Sequence, residues 1–154
     1  MQVQISTILK SAPDRIWQEV QTSRLLQYIS QPLLVFTPVS PSAFPETWGN
    51  GNYQVRMWLF GVLPLGTQWI VIRHIASSEG YDLLDDGHGN LITRWQHLIS
   101  LRPTPGGFTL YTDTVNIDAR WLTFGVWLFA NIFYRYRQSR WRRLVRRNFN
   151  YDQF

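Results

Sequence analysis

The chain has 154 residues, a formal net charge of +5, a 45% share of hydrophobic residues and no cysteine. This length favours a single domain spanning residues 1–154, large enough to bury a substantial core. The lack of cysteine excludes a disulfide framework, thiolate metal ligands and a cysteine nucleophile.

The first part of the chain predicts one strand followed by two short helices. Residues 2–9 alternate between apolar and polar side chains, which indicates a half-buried strand. Pro13 favours the start of a helix, and apolar residues at helical spacing continue to Gln31, with a break near Thr22. The N-terminal segment has neither a basic stretch nor an apolar run typical of secretory signals, so we expect a cytoplasmic protein.

The central part predicts a run of antiparallel strands. Four prolines between residues 32 and 45 indicate that a strand over 33–37 lies at a sheet edge or is replaced by a loop. Alternating patterns predict strands over 53–59, 67–76, 80–84, 91–101 and 108–117. Residues 61–66 are interpreted as a connection and residues 85–90 as a turn.

The C-terminal part predicts one long helix, because residues 123–148 contain no proline and only one glycine, Gly125. We expect the helix to begin between Asp118 and Thr123. Its first half, residues 121–134, is apolar nearly all round, which predicts burial on most sides, and it is too short to span a bilayer. Residues 135–154 carry seven arginines and one aspartate and form a basic helix end and tail. The helix macrodipole favours a solvated basic end over a dedicated anion-binding patch.

The separation of strands from helices predicts an α+β fold. An antiparallel sheet needs cover on one face, and the long helix is the only large apolar cover in the sequence. We therefore expect a curved antiparallel sheet of six to seven strands wrapped on the C-terminal helix, with two short helices after the first strand.

The last predicted hairpin carries two inward-pointing polar residues. If Arg102 pairs with Phe108, His97 pairs with Asp113 on the face beneath the long helix. A buried carboxylate needs a partner, which His97 or Arg137 can supply. The residues are interpreted as a structural ion pair or as polar anchors in an apolar cavity, with an acid–base pair as the alternative.

The sequence shows no other pattern of known chemistry. Its three histidines, His74, His88 and His97, lack metal-ligand spacing, and phosphate-binding and nucleophile-elbow motifs are missing. We therefore expect no metal and no cofactor. Nucleic-acid binding would depend on the arginine-rich helix end alone and is not expected. The arginines from Arg135 to Arg147 are instead candidates for transient contact with an anionic membrane.

Three short motifs follow the predicted element order: Arg94-Trp95-Gln96-His97, Thr112-Asp113-Thr114-Val115, and Ile132-Phe133 with Tyr136-Arg137. This order and these motifs resemble the START-like (SRPBCC) superfamily, which includes polyketide cyclase/dehydrase-like proteins with a helix-grip fold. The resemblance covers nearly the whole chain. The chain keeps Gly125 but lacks the proline that precedes the long helix in the most similar bacterial subgroup.

The resemblance implies a hydrophobic pocket between the sheet and the long helix. It implies a carrier or sensor for a lipid, isoprenoid or polyketide-like aromatic ligand, and it assigns no oligomeric state. The alternative is a cyclase or dehydratase that uses His97 and Asp113 as its acid–base pair. The residues expected to bind the ligand are Tyr53, Met57, Trp95, His97, Tyr111, Asp113, Trp127, Phe133 and Arg137.

Overall fold

The computed structural model describes residues 1–152, which form one seven-stranded antiparallel sheet, two short helices and a long C-terminal helix. The elements are β1 (Gln2–Leu9), α1 (Pro13–Val20), α2 (Ser23–Ser30), β2 (Leu34–Ser40), β3 (Gly51–Leu59), β4 (Leu63–Ile75), β5 (Tyr81–Gly89), β6 (Arg94–Pro103), β7 (Thr109–Asp118) and α3 (Thr123–Arg146). In the sheet, β2 to β7 follow one another as neighbours and β1 pairs with β7, giving the order β1-β7-β6-β5-β4-β3-β2. The predicted α+β class is confirmed.

The residues predicted to start the two short helices occupy the expected positions. Pro13 occupies the start of α1, and the Thr22 side chain accepts a hydrogen bond from the Leu25 amide at 3.2 Å, capping α2. The proline-containing β2 forms a sheet edge, where a residue without an amide hydrogen is tolerated.

Two predicted boundaries in the central strands are wrong. Residues 61–66 are mostly strand, because Phe60 and Gly61, with φ angles of 53° and 72°, reverse the chain within a short turn. Residues 85–90 are mostly the second half of β5. Gly87 lies inside the sheet, where an added Cβ would come within 2.9 Å of the Trp95 carbonyl oxygen. This glycine therefore permits the close approach of neighbouring strands and does not mark a turn.

The β6–β7 hairpin has a register that differs by two residues from the predicted one. Arg102 pairs with Leu110, and His97 pairs with Val115. The turn lies one residue later than expected, because Pro103 pairs with Thr109, and it contains consecutive glycines at 106 and 107 with φ of 105° and 81°. A shift of two residues keeps every side chain on its face, so the inward orientation of His97 and Asp113 is confirmed.

The long helix α3 packs on β1, β7 and α2, and it begins at Thr123 after a 3-10 turn over Arg120–Leu122. The expectation that its first half is buried on most sides is wrong. One face carries Ala130, Phe133 and Tyr134 into the core, whereas the outer face is covered by no other element of residues 1–152. The side chains exposed there are Phe124 (64%), Leu128 (50%) and Ile132 (59%), and Trp121 (87%) in the preceding 3-10 turn is exposed as well.

The arginines of α3 divide between the core and the solvent. Arg137 turns inward as expected, and Arg140 is also buried and donates to the Tyr28 carbonyl oxygen. Arg135, Arg142, Arg143 and Arg146 are exposed. No helix within residues 1–152 has the length and apolar character needed to cross a membrane.

Candidate functional site

A cavity of about 360 Å³ lies between the inner face of β2–β6 and the helices α2 and α3. This volume falls in the range of small-molecule sites. Because α3 packs on β1 and β7 while the cavity separates it from the other strands, the sheet curves around the helix. The wall is largely aliphatic and aromatic, and includes Leu25, Leu26, Ile29, Phe36, Met57, Leu65, Ile70, Ile72, Leu83, Trp95, Ile99, Val126, Phe129 and Phe133.

The cavity reaches the surface beside the start of α3. Leu91 and Gly125 line the cavity and are also exposed to solvent. A Cβ added to Gly125 would meet no atom within 4 Å. The opening therefore lies between the β5–β6 turn and the first turn of α3.

Asp113 is the centre of a buried hydrogen-bond network behind the cavity wall. Its Oδ1 lies 2.7 Å from Nε2 of His97 and accepts a hydrogen bond from the Tyr111 hydroxyl at 3.0 Å, while its Oδ2 accepts from Gln138 at 3.0 Å. Arg137 Nη2 lies 4.0 Å from the same carboxylate. Burial alone would raise the pKa of Asp113, but the His97 hydrogen bond and the Arg137 charge lower it below its ordinary value. The carboxylate is therefore ionised and well supplied with donors.

His97 connects this network to the cavity, because its side chain lines the wall. Burial lowers the pKa of His97 despite the hydrogen bond to Asp113, so the imidazole is neutral near pH 7. An ionised Asp113 can only accept a hydrogen bond, which assigns the proton of His97 to Nε2. Nδ1 of His97 is then an acceptor.

Asp85 and Gln68 also line the cavity, together with Thr22 and Tyr134, and the sequence reasoning missed these polar side chains. Burial raises the pKa of Asp85 to about 7, although its Oδ1 accepts a hydrogen bond from the Val71 amide at 2.8 Å. Gln68 is buried, and within residues 1–152 neither atom of its amide group has a hydrogen-bond partner. Its alternation with Ile70 and Ile72 could have revealed its inward orientation. Asp85 was obscured because its segment resembled a turn.

Five of the nine predicted ligand-binding residues line the cavity: Met57, Trp95, His97, Phe133 and Arg137. The structure does not place the other four in its wall.

Tyr53 packs on Trp48 and donates to the Gly49 carbonyl oxygen, and the Trp127 indole donates to the Gln2 carbonyl oxygen of β1. Tyr111 and Asp113 lie behind the wall, since β7 is covered directly by α3. The binding or catalytic roles of all nine stay predictions.

No group of three or more histidine, aspartate or glutamate side chains suited to a metal ion occurs in the described part of the chain, residues 1–152.

Several solved structures share this fold at low sequence identity. TTHA0849 from Thermus thermophilus has a TM-score of 0.68 and 11% identity, covering 97% of this chain and 100% of its own. A START superfamily protein from Mycobacterium smegmatis has a TM-score of 0.65 and 12% identity, covering 96% and 98%. A conserved protein from Geobacillus kaustophilus has a TM-score of 0.64 and 15% identity, covering 96% and 97%. These similarities establish the START-like helix-grip fold.

The curated protein sequences contain no significant match to the chain. A family match, in contrast, covers residues 7–148, which is nearly the full length. The protein therefore belongs to the family described as Domain of unknown function (DUF8410) and has the fold of the START superfamily.

Proposed function

We propose that the protein binds an apolar or amphipathic small molecule in the cavity between its sheet and α3, as a carrier or sensor. The observation that carries this proposal is the cavity itself, about 360 Å³ with a largely apolar wall that opens to solvent. Protein cores are otherwise packed with few voids larger than a water molecule. An apolar space of this size favours a lipid-like, isoprenoid or aromatic guest.

Native mass spectrometry of protein purified from cells tests this proposal by detecting a retained small molecule. Ile99→Trp should displace the ligand, because Ile99 lines the cavity and is only half-buried. Ile8→Trp is the matched control, since Ile8 is 46% exposed and does not line the cavity. Equal retention by both variants, or no bound molecule and no uptake of an apolar dye such as Nile red, would overturn the proposal.

A cyclase or dehydratase activity is the second candidate, and the position of His97 in the cavity wall favours it. A neutral imidazole with a free acceptor nitrogen can take a proton from a bound substrate. Asp113 would then act by orienting His97, because it lies outside the wall and its oxygens already accept several hydrogen bonds. Incubating the co-purified ligand with wild-type protein and with His97→Gln tests this candidate. A mass change produced by the wild-type protein alone would support an enzyme, and an unchanged ligand would argue against one.

We further propose that the outer face of α3 and the β3–β4 hairpin tip dock on an anionic membrane. The apolar part of this docking face comprises Trp121 in the 3-10 turn before α3, Phe124, Leu128 and Ile132 on α3, and Phe60 (58% exposed), Val62 (77%) and Leu63 (53%) on the hairpin. Leu59 and Leu65 beside the hairpin tip belong to the same apolar cluster as Val126 and Phe129 of α3, so the two parts lie at one end of the molecule. Exposed apolar clusters of this kind mark interaction surfaces.

The charge on α3 indicates which partner this face suits. Positions 124, 128, 132, 135, 139, 142 and 146 recur every three or four residues and therefore share one helix face. Along this face the apolar side chains give way to the exposed Arg135, Arg142 and Arg146. Basic residues near an anionic lipid surface contribute about 1 kcal/mol each, and tryptophan prefers the membrane interface. Apolar insertion and charge therefore act together on one helix.

Co-sedimentation with phosphatidylcholine vesicles, with and without phosphatidylserine, tests the docking face. Phe124→Ser should reduce binding several-fold, and Phe108→Ser should not, because Phe108 is 40% exposed at the opposite end of β6 and β7. Binding that does not depend on the phosphatidylserine content of the vesicles would contradict the proposal. A dimer in light scattering that Phe124→Ser dissociates would assign this face to a second copy of the chain instead.

A further inference from the structure

Asp85 is a carboxyl group in the middle of the apolar wall. It lies on β5, where it pairs directly with Ile72 of β4 and with His97 of β6. Directly paired residues on a sheet have Cβ atoms about 5 Å apart and point to the same face. All three side chains line the cavity, so the Asp85 carboxyl is placed beside the His97 ring.

The hydrogen bonds of Asp85 leave part of its capacity unused. Oδ1 accepts from the Val71 amide at 2.8 Å, whereas no hydrogen bond or ion pair within residues 1–152 reaches Oδ2. A carboxyl group has two oxygens and roughly four acceptor positions. Asp85 is half-buried and lines the cavity, so its unused oxygen is accessible to a hydrogen-bond donor of a molecule bound there.

The charges around Asp85 decide which partner fits. Arg137 of α3 is the nearby cation, but it lies 4.0 Å from Asp113, which balances its charge. Tyr134 of α3 is held neutral, since burial raises its pKa far above the ordinary value. His97 of β6 is neutral and presents an acceptor, and Asp86 of β5 is a second carboxylate on the opposite face. The wall at Asp85 therefore offers acceptors, and the neighbouring cation Arg137, which also lines the cavity, already has Asp113 as its partner.

We propose that Asp85 is the polar anchor of the cavity and recognises an amphipathic ligand through a hydrogen-bond-donating group, an amine or a hydroxyl. The apolar body of the ligand occupies the space between Ile70, Leu83 and Phe129. Once Asp85 is ionised, above about pH 7, a ligand that ends in a carboxylate is disfavoured, because two negative charges would then meet. This inference rests on the proposed binding function and specifies the chemical class of the ligand.

Competition against Nile red with three probes of equal chain length tests the anchor: decylamine, 1-decanol and decanoate. At about pH 8, where Asp85 is ionised, wild-type protein should bind decylamine and 1-decanol more tightly than decanoate. Asp85→Asn keeps an acceptor for the Val71 amide but cannot ionise, and it should weaken decylamine binding about tenfold while leaving decanoate unchanged or tighter. A loss restricted to decylamine identifies an amine ligand, and a loss for both donors identifies the shared hydrogen bond.

Asp86→Asn is the matched control, because Asp86 neighbours Asp85 but points to the outer face, where it accepts from Gln96. It should bind all three probes as the wild type does. Equal affinity of wild-type protein for the three probes, or decylamine binding unaffected by Asp85→Asn, would overturn the anchor while leaving the cavity as a binding site. Nile red binding that Ile99→Trp does not reduce would overturn the proposed function and the anchor together.

Discussion

At the scale of single residues, the buried charges of the Asp113 network depend on one another. Asp113 is fully buried and is the only carboxylate within residues 1–152 that lies within 4.0 Å of the buried Arg137. Removing one member of a buried pair leaves the other charge without compensation, which costs about 3–5 kcal/mol.

We therefore predict that Asp113→Ala lowers the free energy of unfolding by about 3–5 kcal/mol, since Arg137 and His97 both lose their partner. Urea denaturation followed by circular dichroism measures this change. Asp86→Ala serves as the control, because Asp86 is half-buried on the outer face, and it should cost about 1 kcal/mol or less. Similar losses for the two variants would contradict the network.

The raised pKa of Asp85 should make the free energy of unfolding depend on pH. Burial raises its pKa from 3.8 to about 7, so between these values the folded protein holds a proton that the unfolded chain has released. Its contribution to stability is therefore complete below about pH 4 and is lost as the pH rises to about 7, at up to about 1.4 kcal/mol per pH unit.

The difference in unfolding free energy between Asp85→Asn and wild-type protein isolates this group from other titrations. Asparagine cannot ionise, so the variant should gain stability relative to wild type between pH 5 and pH 8. Denaturant unfolding at both pH values measures the difference. A constant difference would show that Asp85 has an ordinary pKa in the folded protein.

At the scale of the elements, the sequence determines side-chain faces better than boundaries. The alternation in β6 and β7 placed His97 and Asp113 inward even though the assumed register was wrong by two residues, because a shift of two preserves the face. The boundaries at 61–66 and 85–90 failed, since glycine permits both tight turns and the close approach of strands. Composition alone does not show whether a glycine lies in a tight turn or between closely spaced strands.

The outer face of α3 shows a second limit of prediction from sequence. An apolar run indicates which side chains favour burial, but it does not reveal how many neighbouring elements are available to bury them. One sheet covers one side of the helix, and Phe124 and Leu128 remain exposed on the other. The surroundings of cavity-wall residues such as Asp85 and Gln68 likewise depend on residues that are distant in the sequence.

Gly125 gives a prediction for α3 itself. It is exposed within the first turn, and an added Cβ would meet open space. Gly125→Ala should therefore stabilise the protein by about 1 kcal/mol, through the higher helix propensity of alanine. Thermal unfolding measures the gain. Gly125→Trp should in addition narrow the opening and slow the uptake of Nile red several-fold in stopped-flow fluorescence, whereas unchanged uptake would place the opening elsewhere.

At the scale of the whole molecule, the cavity opening and the proposed docking face lie at the same end. Gly125 borders the opening, and Trp121 and Phe124 lie within about one helical turn of it. A ligand that leaves the cavity there would enter the apolar layer of a docked membrane without crossing water. The arginines farther along α3 would hold the helix on anionic head groups.

This arrangement predicts that membrane docking controls the rate of ligand transfer and leaves the affinity unchanged. Transfer of a fluorescent lipid-like probe from the protein to vesicles should accelerate as the phosphatidylserine fraction rises, because docking brings the opening to the bilayer. Phe124→Ser should slow the transfer several-fold while binding the probe normally in solution, since Phe124 does not line the cavity. Phe108→Ser, at the far end of the sheet, should transfer the probe at the wild-type rate. Transfer independent of vesicle composition would show that the ligand exchanges through water, and the exposed apolar face of α3 would then serve another partner.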